Sequence, residues 1–471
     1  MAIRTAKESE IRMKRADYVS TTNACKLCKP LGACLAFRGI EGAVPMLHGS
    51  QGCATYMRRY IISHFREPMD IASSSLGEKH AVYGGGPNLK QGLKNLMTKF
   101  GAAMIGVATT CLTETIGDDV PMIIREFRKE MEEAGDGPGL PSLVSVSTPS
   151  YSGTHMEGFH AAVGAVVDQL CAGDLLCANS EGKFVNLLPG FLSPADLRHL
   201  KEIVADFGLG CVMLPDISET LDGPALEDYE KIPDGGTPIS GIKRMGCAAA
   251  TLEFGRTLEG GATAGMILHK RFGLPLHQSG IPIGLRETDA FFKALEQASG
   301  MKTPEKHQSE KGRLVDSYVD AHKYLFGKRA VIYGEEDLVI GLTAFLAEIG
   351  IKPVLCASGG RGGRFASCIE HVTAGLLETP PMVEEGADFQ KIEELCQELA
   401  PDLLVGHSKG YRLSKKLGVP LIRVGFPIHD RFGGQRTLHA GYRGTQMLLD
   451  RIVNAVLEKA QEDSAIGYGY M

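Results

Sequence analysis

Short apolar runs alternate with amphipathic stretches along this chain. The apolar runs predict strands, and the stretches whose apolar positions recur at helical spacing predict helices. The predicted strands are 104–108, 143–147, 330–333, 351–355, 403–406 and 421–424, and the predicted helices are about 118–131 and 337–348. Strands that alternate with helices in this way are typical of parallel sheets. The pattern therefore predicts an α/β fold.

Two polar stretches predict connections between these elements. Residues 301–312 are mostly polar and 135–141 are rich in Gly and Pro, so we expect a surface connection and a loop. The strand at 330–333 is followed by Gly334-Glu335-Glu336 and not by a G-x-G-x-x-G turn, and no G-x-x-x-x-G-K-[ST] segment occurs. A nucleotide site on this chain is therefore not expected.

The overall composition limits the classes of function. With 50 Lys and Arg against 56 Asp and Glu, the formal charge is −6, which argues against nucleic-acid binding through a basic surface. The first ten residues are charged and lack the apolar core of a signal peptide, and no uncharged apolar run reaches about 18 residues. We therefore expect a cytoplasmic protein with no nucleic-acid partner and no membrane partner.

The 12 cysteines need an explanation, because a disulfide framework is not expected in a reducing cytosol. Seven of them lie in apolar or helical contexts without a partner pattern, and we interpret them as small buried side chains. These seven are Cys171, Cys177, Cys211, Cys247, Cys356, Cys368 and Cys396. The other five lie in the N-terminal third, where this interpretation is insufficient.

Four N-terminal segments are dense in Cys, Gly, Pro and small polar residues, and these are 23–34, 48–53, 109–119 and 147–150. We expect Cys28, Cys53 and Cys111 in loops, two of them where a helix begins, and a helix N-terminus stabilises a thiolate. The glycines before Cys53 and after Cys28 are expected to let the backbone approach a bulky cluster. Cys25-x-x-Cys28 lacks the second C-x-x-C of a Cys₄ zinc site. The spacing leaves an iron–sulfur site, a Cys25–Cys28 redox pair and buried structural thiols open.

Beyond spacing, the motifs of this chain resemble those of the nitrogenase component 1 family, and within it the β-type chains. The resemblance runs through the whole length and is carried by 28–33, 48–53, 63–68, 81–85, 110–119, 148–150, 282–289 and 424–433. It implies three Rossmann-like lobes whose parallel sheets are flanked by helices, with a metal cluster at the interface of the first lobe. We expect these lobes at 1–185 (joined by 425–471), 186–325 and 326–424.

The resemblance also implies a set of metal ligands. Cys28, Cys53 and Cys111 match the three β-chain ligands of the eight-iron P-cluster (8Fe-7S), and Ser150 matches the serine whose oxygen can bind an iron when that cluster is oxidised. The cluster would be shared with a homologous α-type chain in an α2β2 heterotetramer. It would relay electrons from an ATP-dependent iron protein to a catalytic cofactor in the α-type chain. No segment here resembles the cofactor ligands of that chain, so substrate chemistry is not predicted on this one.

Four other residues are interpreted as structural. His429 and His439 lie in a late motif and are expected to make structural hydrogen bonds. Cys25 and Cys34 lie outside the matched ligand positions, and for both we favour burial over a place beside the cluster.

Departures from the family pattern point to one branch of it. Only 27 residues precede Cys28, fewer than is usual in dinitrogenase β subunits, and 430–436 with 441–444 look more like cofactor-assembly scaffold chains. Scaffold β-type chains, however, commonly lose some of the three cysteines and hold a four-iron (4Fe-4S) cluster, whereas this chain keeps all three and Ser150. The combination suggests a nitrogenase-like reductase, with methylthio-alkane reductase as the candidate. A scaffold chain and a dinitrogenase β subunit are the alternatives.

Overall fold

The computed structural model describes residues 23–135, 137–172, 183–228 and 230–466. Within them the chain forms three parallel sheets flanked by helices, which confirms the predicted α/β class. None of the described helices is both long and apolar enough to cross a membrane. The lobe boundaries given above stay a prediction.

The first sheet lies in the N-terminal third. Its strands are β1 (Ala43–His48), β2 (Ala72–Ser73), β3 (Met104–Thr109) and β4 (Ser142–Val146), in the order β2-β1-β3-β4. Its helices are α1 (Lys29–Arg38), α2 (Gln51–Phe65), α3 (His80–Tyr83), α4 (Gly86–Phe100), α5 (Cys111–Ile116), α6 (Val120–Glu133) and α7 (His155–Leu170). The buried strands β1 and β3 pair along their whole length, with His48 beside Thr109 at their carboxyl ends. The loops that follow these two strands therefore leave the sheet side by side.

The second sheet follows in the middle of the chain. Its strands are β5 (Phe184–Leu188), β6 (Gly210–Met213), β7 (Ala250–Phe254) and β8 (Leu276–Ser279), in the order β6-β5-β7-β8. The helices of this part are α8 (Pro194–Asp206), α9 (Ile239–Lys243), α10 (Ala264–Phe272), α11 (Gly284–Ser299) and α12 (Glu305–Leu325). All four strands are parallel, so their carboxyl ends share one edge.

The third sheet has five strands. These are β9 (Arg329–Gly334), β10 (Lys352–Ser358), β11 (Met382–Glu385), β12 (Leu403–Gly406) and β13 (Leu421–Arg423), in the order β11-β10-β9-β12-β13. Its helices are α13 (Glu336–Glu348), α14 (Phe365–Thr373), α15 (Phe389–Leu399) and α16 (Tyr411–Leu417). The last helix of the chain, α17 (Gly441–Asp463), packs against α12 and α11.

The strands predicted from the apolar pattern are confirmed to within a few residues at each end, but the connection predicted at 301–312 is wrong. The helix α12 begins inside it, directly after Pro304. His307 is the reason, since its ring is buried and its two nitrogens contact Asp206 and Glu310 at 2.9 and 3.0 Å. These long-range and local contacts stabilise a helix in a stretch whose composition suggested a surface connection.

The crossing of α1 and α7 determines where the first predicted ligand lies. All residues of α1 after Lys29 are buried. A methyl group at Gly32 would overlap the backbone oxygen of His155, and one at Gly158 would overlap that of Lys29. Gly32, the glycine after Cys28, is thus needed for close packing of the two helices, and the expected approach of the backbone to a cluster stays a prediction.

Candidate functional site

The three cysteines matched to cluster ligands all lie where helices begin. Cys28 is the residue before α1, Cys53 lies in the first turn of α2, and Cys111 is the first residue of α5. All three side chains are partly exposed, and their thiols are free. All three therefore lie close to the positive end of a helix dipole.

Parallel pairing in the first sheet places the loops of Cys53 and Cys111 together. Gly49 follows β1, and a side chain on it would overlap the side chain of Thr110, which follows β3. The hydroxyls of Thr110 and Thr113 both donate to the His48 carbonyl, at 3.1 and 2.9 Å. Gly49, like Gly32, therefore permits close contact between parts of this chain.

Ser150 connects the Cys111 segment to the Cys28 segment. Its backbone N–H donates to Sγ of Cys111 at 3.1 Å, and its Oγ accepts from the backbone N–H of Lys29 at 3.0 Å. The Leu27 carbonyl accepts from the N–H of His155 at 3.1 Å, which fixes the chain just before Cys28 against α7. The four residues matched from the sequence therefore lie in one region.

The electrostatics of Cys28 reflect this grouping. Burial raises its pKa, and the nearby thiols of Cys111 and Cys53 raise it further, while the hydrogen bond with Ser150 and the charge of Lys26 lower it. Three thiolates repel one another when nothing positive lies between them. A bound cation or metal cluster would remove that repulsion.

This donor set fits an iron–sulfur cluster. Within the described residues, no three His, Cys, Asp or Glu side chains are grouped so that they could hold one metal ion. Thiolates that emerge from three separate segments, with a serine oxygen beside them, suit a cluster with several irons. Cys28, Cys53, Cys111 and Ser150 are the residues that would hold it.

A buried hydrogen-bond network behind the site was missed from the sequence. The His48 ring is fully buried, with Nδ1 2.9 Å from Oγ of Ser74 and Nε2 3.0 Å from Oδ2 of Asp118. Asp118 also accepts from the N–H of Gly85. Both His48 and Asp118 belong to the motifs noted above, but their pairing across 70 residues has no local signal.

Exposed aromatic and apolar side chains surround the cysteines. Tyr56 lies one turn from Cys53 and is 42% exposed, and Tyr151 follows Ser150 and is 69% exposed. Val82 and Tyr83 of α3, which packs beside α5, are 77% and 85% exposed. Aromatic residues are enriched where protein surfaces meet, so this face has the composition of an interface.

Cys25 and Cys34 are both buried, as favoured from the sequence. Cys25 is 3% exposed, burial raises its pKa to about 12, and its Sγ lies 3.6 Å from Nε2 of His407. Cys34 is fully buried within α1, and burial raises its pKa as well. A redox role for the Cys25–Cys28 pair has no support, since a thiol with so high a pKa is a poor nucleophile.

The other cysteines and the late histidines follow the prediction with two departures. Cys171, Cys356, Cys368 and Cys396 are buried free thiols, whereas Cys211 is partly exposed and Cys247 is disulfide-bonded. Cys177 lies outside the described residues.

Nδ1 of His439 lies 2.8 Å from Oδ2 of the buried Asp196, which confirms the structural role of His439. His429 donates from its backbone N–H to Oγ of Ser408.

A separate cavity of about 680 Å³ lies between α7, the segment 257–263 and the end of β9. Glu335 and Glu336 line it, and burial, reinforced by neighbouring carboxylates, raises their pKa values to about 8 and about 7. In the sequence these residues stood out only because they do not form a glycine-rich turn. Both carboxyl groups are thus partly protonated near neutral pH.

The chain is similar to known proteins along almost its whole length. Residues 28–457 match the family described as nitrogenase component 1 type oxidoreductase. The chain is 35% identical to the nitrogenase molybdenum-iron protein beta chain of Clostridium pasteurianum, over 94% of each chain. It is 34% identical to the vanadium-iron protein beta chain of Trichormus variabilis, over 95% of this chain and 96% of that one. It is 32% identical to the nitrogenase iron-molybdenum cofactor biosynthesis protein NifN of a Nostoc species, over 93% of each.

A solved structure agrees with these relatives. The structure of nitrogenase Cp1 at pH 6.5 superposes with a TM-score of 0.91 and 33% identity, covering 97% of this chain and 98% of that one. Together with the three parallel sheets, the family match defines a subunit of an oxidoreductase. More narrowly, the chain belongs to the nitrogenase component 1 family and is a β-type chain of it.

Proposed function

We propose that this chain is the electron-relaying β-type subunit of a cytoplasmic nitrogenase-like reductase. The observation that carries the proposal is the proximity of Cys28, Cys53 and Cys111, with the Ser150 N–H donating to Sγ of Cys111. These four residues would hold one half of an eight-iron P-cluster shared with a homologous α-type chain. The cluster would supply one-electron storage between an iron protein and the catalytic cofactor of the α-type chain.

The residues around the site support the proposed contacts with the α-type chain and with the iron protein. The exposed Tyr56 and Tyr151 flank the cysteines and give the α-type chain an aromatic surface to cover, in an α2β2 assembly. The short helix α5 and the exposed α3 beside it offer the ATP-dependent iron protein a docking surface close to Cys111. The backbone donor at Ser150 and the partial burial of Cys28 would tune the potential of the cluster.

Within the family we propose methylthio-alkane reductase as the particular activity. The support is the combination of three retained cysteines and Ser150 with a C-terminal motif at 430–436 that resembles scaffold chains. A dinitrogenase β subunit is the alternative among the reductases. The test supplies the purified complex with its iron protein, ATP and either a methylthio-alkane or dinitrogen. Release of methanethiol is expected, and formation of ammonia without it would overturn this choice.

The second candidate is the β-type half of a cofactor-assembly scaffold. The similarity to NifN over 93% of each chain favours it. Iron and sulfide analysis, together with EPR spectroscopy of the anaerobically purified complex, separates the two candidates. The relay proposal expects an eight-iron cluster for each pair of α- and β-type chains. A four-iron cluster alone would overturn the relay and support the scaffold.

A further inference from the structure

A lysine from the third sheet reaches the segment that carries the first cluster ligand. Lys409 lies in a short 3₁₀ turn after β12, more than 380 positions from Cys28. Its Nζ donates to the carbonyl oxygens of Ala24 at 2.8 Å and of Lys26 at 3.3 Å. No carboxylate forms an ion pair with it in the described part of the chain, so its charge is not neutralised there.

The segment held by Lys409 is anchored to the third sheet along its length. The N–H of Cys25 donates to the carbonyl of Ala387 at 3.1 Å, and the carbonyl of Cys25 accepts from the N–H of Gly359 at 3.2 Å. An adjoining bond links the Asn23 carbonyl to the N–H of Phe389. The position of Cys28 is therefore determined on one side by these contacts and on the other by the α1–α7 crossing.

The charge of Lys409 acts on the cysteine site as well as on the backbone. Its Nζ contacts the carbonyl oxygen of Lys26, two positions before Cys28, so the positive charge lies near that ligand. Lys409 is partly buried, and a charge in a partly dry environment acts over a longer distance than one in water. A positive charge beside a ligand thiolate stabilises the more reduced, more negative state of a cluster.

We propose that Lys409 is a positioning residue for the cluster. It fixes the approach of Cys28 through the carbonyls of Ala24 and Lys26, and its charge raises the reduction potential at that ligand. The proposal rests on the proposed function, since it requires that Cys28 bind a cluster. It goes beyond that function by assigning a role to the third lobe in a site that otherwise belongs to the first.

The test is a redox titration, followed by EPR spectroscopy, of the complete complex purified anaerobically with its α-type partner. Lys409→Met removes both the charge and the hydrogen bonds, Lys409→Gln keeps a donor without the charge, and Lys409→Arg keeps both. Lys415→Met removes an exposed charge from the neighbouring helix α16 and is the matched control.

Both neutral variants are expected to shift the midpoint potential in the negative direction. At a fixed potential the ratio of oxidised to reduced cluster should rise by about tenfold, which corresponds to about 59 mV for a one-electron step. Lys409→Arg and Lys415→Met are expected to stay close to the unsubstituted complex. Unchanged potentials in both neutral variants with full iron content would overturn the proposal.

Variants that lose the cluster are also informative. If the Lys409→Met complex contains no iron, the iron content and midpoint potential of the Lys409→Gln complex become the test. If both neutral variants lose the cluster while Lys409→Arg keeps it, the positive charge is required and the proposal is supported. If all three Lys409 variants lose the cluster while Lys415→Met keeps it, the shape of the lysine side chain is required and its charge is not. That result would overturn the proposal. The comparison works equally with a four-iron cluster, so its failure is distinct from failure of the relay.

Discussion

The backbone N–H of Ser150 donates a hydrogen bond to Sγ of Cys111 across 3.1 Å. The Oγ of the same serine accepts from the N–H of Lys29, at the start of the helix that follows Cys28. One residue thus uses its backbone for one matched ligand segment and its side chain for another. A substitution of the side chain alone separates the two contacts.

Ser150→Ala is expected to leave the iron content of the complex unchanged. The N–H that donates to Cys111 remains, whereas the hydrogen bond from Lys29 is lost, at a cost of about 0.5–1.5 kcal/mol. EPR-monitored oxidation should show an altered potential for the most oxidised state of the cluster, because the serine oxygen is absent. Ser152→Ala, two positions away and exposed, is the control. Identical oxidation behaviour in both variants would contradict a role for Ser150 as an oxygen ligand.

Cys111→Ala and Cys53→Ala are expected to abolish reductase activity and to weaken the pairing with the α-type chain. Each removes a thiolate, which is the soft ligand that an iron–sulfur cluster requires. The measurements are iron content, turnover and the elution volume of the complex in size-exclusion chromatography. Cys368→Ala removes a buried thiol from the last sheet region and should retain iron and activity. Retained activity in either ligand variant would count against the relay.

Gly32→Ala is expected to destabilise the protein, because its methyl group would overlap the backbone oxygen of His155 at the α1–α7 crossing. Overpacking of this kind costs about 1–3 kcal/mol, and here the neighbour is backbone that cannot rotate away. The apparent thermal midpoint of the assembled complex is the measurement.

Gly312→Ala provides the matched control for that substitution. Gly312 lies inside α12, is exposed, and has no atom near the position of an added methyl group. Alanine is favoured over glycine inside a helix by about 0.5–1 kcal/mol, so this variant should be unchanged or more stable. Equal midpoints for both alanine variants would show that the crossing tolerates a side chain.

Glu336→Gln is expected to stabilise the protein more at pH 8 than at pH 5. Burial raises the pKa of Glu336 to about 7, above its ordinary value near 4.5. Between pH 4.5 and about pH 7 the unfolded chain loses its proton while the folded chain largely keeps it, so wild-type stability falls as pH rises through this range. Gln cannot ionise, so the variant does not lose stability in this way. At pH 8 its free energy of unfolding should exceed that of the wild type by about 1–3 kcal/mol, after allowance for partial exposure.

Thermal unfolding of the complex at several pH values checks this prediction. Glu458→Gln makes the same change at an exposed position on α17 and is the control. A stability difference between Glu336→Gln and the wild type that is constant from pH 5 to pH 8 would contradict the raised pKa.

Local sequence was sufficient to predict strands and helices where the conformation of a residue depends mainly on its neighbours along the chain. The apolar runs at 104–108 and 403–406 are strands because few other arrangements bury them. The helix near 118–131 begins at Val120, where the Asp119 side chain accepts from the N–H of Met122, a capping signal legible in the sequence. The motifs around Cys28, Cys53 and Cys111 carried the family resemblance for a similar reason, since each is a short segment with its own residue pattern.

The tertiary structure decided what joins these segments. Gly32 against His155, Lys409 against the carbonyls before Cys28, and His48 against Asp118 link positions that are 70 to nearly 400 residues apart. The helix at Glu305 likewise depends on the burial of His307 against Asp206. Such contacts depend on how sheets and helices pack, and packing leaves no pattern in a local stretch of sequence. The sequence was therefore sufficient to predict which cysteines are candidate ligands. Only the folded chain determined which distant residues position those cysteines beside one another.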